Sequence, residues 1–211
     1  IWNEGNENRT TVSGSIKTTG DKGYGIWNEG NENRTTFSDT GSIETTGNEA
    51  HGIVNEGNKN TTTVSGSIKT GDVVKGTGDR AYGIVNVGNE NRNTVSGSIT
   101  TTGEEAHGIY NIGDTNTNTI SGTVKATGAT SAALYNITGS GNSFTLNEGA
   151  TIIGDILARD TTGGSVLAAT NSKLIFNLGA STSYAYSVSG KGAGTGAGQW
   201  DFSDLDRSSQ V

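Results

Sequence analysis

Apolar residues in this chain recur singly, in a unit of about 25 residues, and not as helical stripes. No 3.6-residue apolar periodicity survives for two turns. Aligned on the Ile of a Gly-Ile-x-Asn motif, the units start at Ile1, Ile26, Ile53, Ile84, Ile109 and, more weakly, Leu134. The starts lie 25, 27, 31, 25 and 25 residues apart. Each unit holds three short β-compatible runs separated by Gly, Asn or Asp. In the fourth these are Gly83 to Val87, Thr94 to Ile99, and Thr100 to Ile109 across a Gly. Thr, Val and Ile suit strands, and Gly with Asn suits corners that need positive φ. Three strands in about 25 residues is one coil of a three-sided parallel β-helix, whose backbone hydrogen bonds run to the coils above and below, ~4.8 Å away. The length then predicts about eight coils in a rod ~40 Å long.

Stacking the units tests that expectation. One predicted core column is Ile1, Ile26, Ile53, Ile84, Ile109, Leu134. A second is Val12, Phe37, Val64, Val95, Ile120, Phe144, and a third Ile16, Ile43, Ile68, Ile99, Val124. Gly23, Ala50, Ala81, Ala106 and Ala132 share a small position, as at a bend where backbones crowd. Lys17, Glu44, Lys69, Thr100 and Lys125 share a position without holding a sign, which marks an outward face. Two asparagine columns, beginning at Asn3 and Asn8, are read as ladders in which each amide donates to one neighbour and accepts from the other. Two insertions leave the pattern intact and so belong at corners: Ser38-Asp39-Thr40-Gly41, and Gly71 to Thr77, a surface loop carrying Val73 and Val74 as a partner contact.

After Leu134 the period loosens. Thr151 to Leu157 and Lys173 to Leu178 still read as strands, and Trp200-Asp201-Phe202 as one more. Residues 1–180 form the repetitive β-helix, and 181–211 a less regular Gly-rich continuation of the solenoid. Ile, Val, Leu and Phe make up 39 of the 211 residues, near the level where disorder becomes a serious reading. The net charge of −7 is modest for a disordered chain, and a solenoid buries few side chains per coil. That charge argues against nucleic-acid or anionic-membrane partners. No Cys, Met or Pro is present, so neither disulfides nor Cys-based metal sites arise. Lacking an initiator Met and any apolar stretch of signal length, the sequence reads as a piece of a longer protein.

Candidate chemistry is sparse. His51 and His107 alternate with Tyr24 and Tyr82 at one position, read as a solvent-facing place of tolerant packing. Calcium as an integral cofactor is not expected, since Asp114 alone stands where calcium-binding solenoids carry an Asp per repeat. Glu4, Glu29 and Glu56 stack one coil apart but give way to Val87, Ile112 and Thr138, which no active site explains. No catalytic, metal or cofactor residue is assigned and no cofactor is expected. An outward column of large residues, Trp2, Trp27, Val54, Val85, Tyr110 and Tyr135, is the first candidate for partner binding, expected to be largely insensitive to salt. The second is the threonine face around Thr36, Thr63 and Thr94, part of a column from Thr11 to Thr119. Flat threonine arrays also suit ice binding, but Arg9, Arg34 and Arg92 would spoil that lattice.

Units such as Gly83-Ile84-Val85-Asn86-Val87-Gly88 and Val95-Ser96-Gly97-Ser98-Ile99 resemble the passenger domains of bacterial type V autotransporters. The Gly-rich tract leading into Gln199-Trp200-Asp201-Phe202 is similar to passenger sequence approaching a membrane anchor. The resemblance implies a right-handed parallel β-helix displayed on the outer surface of a bacterium through a C-terminal β-barrel. It implies a non-enzymatic adhesin or self-association module, binding a host receptor, a glycan or another copy of itself. A polysaccharide-processing β-helix enzyme is the alternative, and an ice-binding protein a more distant one.

Overall fold

A computed structural model describes residues 1–71, 80–128, 130–158 and 172–177. It is an all-β solenoid of about six turns with about 26 residues per turn, and no helix occurs among the described residues. Three parallel sheets form its walls. Sheet A contains Trp2–Glu4, Ile26–Glu29, Ile53–Glu56, Ile84–Val87, Ile109–Ile112, Ala132–Thr138 and Asp155–Ala158. Sheet B contains Arg9–Val12, Arg34–Phe37, Thr61–Val64, Arg92–Val95, Thr117–Ile120, Ser143–Asn147 and Lys173–Asn177. Sheet C contains Ser15–Thr19, Ser42–Thr46, Ser67–Gly71, Ser98–Thr102, Thr123–Ala126 and Thr151–Ile153. Each strand pairs in parallel with its equivalents one coil before and after, so every repeat position becomes a column.

The three apolar columns meet inside. Ile26, Ile53, Ile84, Ile109 and Leu134 come from sheet A, and Phe37, Val64, Val95 and Ile120 from sheet B. Ile43, Ile68, Ile99 and Val124 come from sheet C, and all of these are buried. One column changes course in the sixth coil. Ile120 pairs with Leu146, while Phe144 pairs with Asn118. Phe144 therefore leaves the valine column predicted for it and joins the column Thr10, Thr35, Thr62, Asn93, Asn118, which continues to Leu174. Leu146 takes the apolar place.

The core is partly polar. Asn28, Asn55, Asn86, Asn111 and Asn136 are fully buried and hydrogen-bond in series through their amides, at 2.7 Å from Asn3 to Asn28 and 2.8 Å from Asn55 to Asn86. Asn28 Nδ2 also donates to Thr35 Oγ1 and Asn55 Nδ2 to Thr62 Oγ1, which brings those threonines inward. A second inward threonine row serves the corner between sheets C and A. Thr45 Oγ1 donates to the Ala50 carbonyl at 2.5 Å and Thr101 Oγ1 to that of Ala106 at 2.7 Å. The small column sits at that corner, with Ala50, Ala81 and Ala106 buried. In the sixth coil Ser131 takes the small place, and Ala132, predicted for it, lies one residue on, its N–H donating to His107 Nδ1 as that of Tyr82 does to His51.

Two strand boundaries differ from the predicted runs. Thr94 to Ile99 is broken by a corner at Ser96-Gly97, giving strands Arg92–Val95 and Ser98–Thr102. Gly71 belongs to a sheet C strand, paired with Thr46 and Thr102, and not to the inserted loop. Val73, Val74 and the rest of the insertion to residue 79 lie outside the described residues, as do residues 178–211 with Trp200 and Phe202. The two-residue insertion within Ser38 to Gly41 does form a corner, between Arg34–Phe37 and Ser42–Thr46. The strands expected near Thr151 and Lys173 are present.

Candidate functional site

The corner between sheets A and B is built by the repeated Glu-Gly-Asn-x-Asn segment. Its Gly turns the chain at positive φ, +130° at Gly57, where a Cβ would lie 2.2 Å from the Gly30 carbonyl oxygen. Two residues later a side chain is forced into the left-handed region: Glu7, Glu32, Lys59, Glu90 and Thr115, at φ of 60°, 60°, 59°, 59° and 55°. Asparagines on either side hold this costly turn. Asn60 Oδ1 accepts from the Asn33 amide N–H at 2.8 Å, and Asn60 Nδ2 donates to the Gly30 carbonyl at 3.0 Å. Asn91, Asn116 and Asn142 repeat the arrangement. A third row, Asn6, Asn31, Asn58, Asn89 and Asp114, accepts backbone N–H groups from the following coil. The asparagine columns are thus structural, as read from the sequence, and the second continues to Asn142.

That corner aims two charged columns outward. Glu7, Glu32 and Glu90 stand in the left-handed position, and Arg9, Arg34 and Arg92 open the sheet B strands two residues on. All six are exposed. Glu7, Arg9, Glu32, Arg34 and Thr61 line an open groove of about 420 Å³. None of the six takes part in an ion pair among the described residues, where the pairs are Lys17–Glu44, Lys22–Glu49, Lys69–Glu44 and Arg80–Glu105. Beside the arginines run Thr11, Thr36, Thr63, Thr94 and Thr119 in register, exposed or half-buried.

The outward column of large residues is mostly covered. Trp2 is 66% exposed, but Trp27 and Tyr110 are half-buried and Val54, Val85 and Tyr135 are buried. Against Trp27, Tyr110 and Tyr135 lies the Tyr/His column. Tyr24, His51, Tyr82 and His107 stack in succession with ring centroids 5.3, 4.9 and 5.1 Å apart. Tyr24 meets Trp27 edge-on, Tyr82 stacks on Tyr110, and His107 meets Tyr135 edge-on. The result is a continuous aromatic seam along the rod. Most of its ring faces are turned to one another, leaving few for a flat sugar or partner ring. The solvent-facing site expected at His51 and His107 is accordingly corrected. His107 is buried, and each imidazole Nδ1 accepts a backbone N–H from the next coil: His51 from Tyr82 at 3.0 Å, His107 from Ala132 at 2.9 Å. Burial lowers the His51 pKa to about 4, against a smaller opposing hydrogen bond to the Arg80 backbone. Burial likewise raises Tyr110 to about 12, helped by Tyr135.

Sequence reasoning brought together Thr36, Thr63 and Thr94, and the structure places them on one face. It missed the paired charged columns. Their signal was the triplet Glu-Asn-Arg at 7–9, 32–34 and 90–92, which reads as a pair only once the corner puts both side chains outside. Groups of His, Asp and Glu able to hold a metal ion are absent among the described residues. No family model, curated protein or solved structure matches the chain.

Proposed function

We propose that this chain is a module of a surface-displayed bacterial adhesin of the autotransporter passenger kind, working by adhesion or self-association without catalysis. The observation that carries this reading is the outer face of sheet B. There, threonine hydroxyls repeat in register from coil to coil, with arginine guanidiniums beside them in the first, second and fourth coils, on a backbone fixed by three hydrogen-bonded walls. Many weak contacts at one fixed spacing add to a useful affinity because the rod loses little conformational freedom when it binds. The partner is a host receptor, a glycan or a second copy. The covered seam is a poorer candidate, so the threonine face takes precedence over Trp27, Tyr110 and Tyr135. The test is display of the chain on bacterial cells with Thr36, Thr63 and Thr94 replaced together by Lys. Cell aggregation and adherence to host cells should fall several-fold while circular dichroism and display level hold. Wild-type levels of both would overturn the assignment of this face.

A further inference from the structure

The two charged columns at the corner of sheets A and B define which way a second copy can lie against the first. We propose that copies of this chain associate side by side and parallel, coil against the same coil, with the Glu7, Glu32, Glu90 column of each rod facing the Arg9, Arg34, Arg92 column of the other. This deepens the self-association half of the function proposed above and rests on it.

The argument is one of symmetry. A closed pair of identical faces is related by a two-fold axis. If that axis runs along the rod, between the two columns, left and right exchange and height is kept. Glu then meets Arg at the first, second and fourth coils. In the third coil the positions hold Lys59 and Thr61, and in the fifth Thr115 and Thr117, so Lys faces Thr and Thr faces Thr. No row of this arrangement opposes like charges. If the axis instead crosses the rod, height is reversed and left and right are kept. Glutamates then face glutamates and arginines face arginines, which is repulsive.

The charges are available for this. They are exposed, they form no ion pair among the described residues, and Glu7, Arg9, Glu32 and Arg34 flank one open groove. Their positions are rigid at the backbone, because the left-handed corner is held by its asparagine ladders and the arginines open strands paired Arg9 to Arg34. Each guanidinium can take a carboxylate bidentately without reorganising the corner. Exposed pairs are individually weak, so the complex is a reversible one that gains strength from repetition along the rod.

The experiment uses the full chain and two sign-uniform variants, one Arg9→Glu/Arg34→Glu/Arg92→Glu and the other Glu7→Arg/Glu32→Arg/Glu90→Arg. Sedimentation should show wild type in a monomer–dimer equilibrium. Each variant alone should dimerise at least ~10-fold more weakly, and an equimolar mixture of the two should recover dimer. Orientation is read from single cysteines introduced at Lys17, Lys69 or Lys125, which share one outward column of sheet C. Spin labels in a parallel dimer give the same inter-copy distance at all three sites. A crossed dimer gives a shorter distance at the central site than at the ends. Unequal distances, unaffected variants, or a wild type that stays monomeric would each overturn the proposal. A monomeric chain that still mediates adherence would leave the adhesin reading standing. A parallel dimer on cells that neither adhere nor aggregate would instead remove the functional reading and keep the pairing.

Discussion

At the scale of single residues, the asparagines inside the coil are the most consequential choice in the sequence. A solenoid this poor in apolar residues fills its interior with amides that satisfy one another. Asn55 illustrates the exchange. Its Oδ1 accepts from Asn28 at 2.8 Å, and its Nδ2 donates to Asn86 at 2.8 Å and to Thr62 at 3.1 Å. Asn55→Ala removes all three and leaves the Asn86 carbonyl oxygen buried without its ladder donor. We expect a loss of roughly 2–4 kcal/mol in urea unfolding. Asn3→Ala, in the half-open first coil where water can substitute, should cost under ~1 kcal/mol. Equal losses at the two positions would show that the ladder is geometry without energy.

Between residues and the whole rod lie the columns, and it is here that reading from sequence succeeded and failed. The apolar columns, the asparagine ladders and the corner insertion at Ser38 were legible because each depends only on position within the repeat. The swap of Phe144 for Leu146 was not. The count between Asn116 and Asn142 is one residue longer than the preceding spacing, and only the observed pairing of Ser143 with Thr117 fixes which side chain turns inward. Burial of the seam was hidden for another reason. Tyr24, His51, Tyr82 and His107 lie on a corner, and nothing in the period says that a corner side chain folds back over the neighbouring sheet. That folding back has a titratable consequence. The folded pKa of His51 lies near 4, below the ordinary 6.5, so the unfolded chain binds the extra proton. Stability from this group is therefore complete above pH 6.5 and declines as pH falls from 6.5 to 4, by up to about 3 kcal/mol. His51→Tyr, the residue used at the same place in the coils on either side, should flatten that part of the stability–pH curve. An unchanged slope in urea titrations between pH 4 and 6.5 would show that His51 is not buried in its neutral form.

On the scale of the molecule, every coil touches only its neighbours, and each neighbour presents the same columns. Stability is then close to a sum of repeated interfaces. Because Ile53 pairs with Ile84 and Ile84 with Ile109, removing residues 84–108 would bring Ile109 against Ile53 with every column still matched. The shortened chain should fold into the same rod less one coil, ~4.8 Å shorter, as small-angle scattering can measure. Loss of cooperative unfolding would mean that the fourth coil is special and not interchangeable. If it is interchangeable, the gene encoding this rod can gain or lose one cassette by recombination between its near-identical repeats. Reach and grip then become heritable quantities that a population can adjust in whole steps, without a new amino acid at any contact.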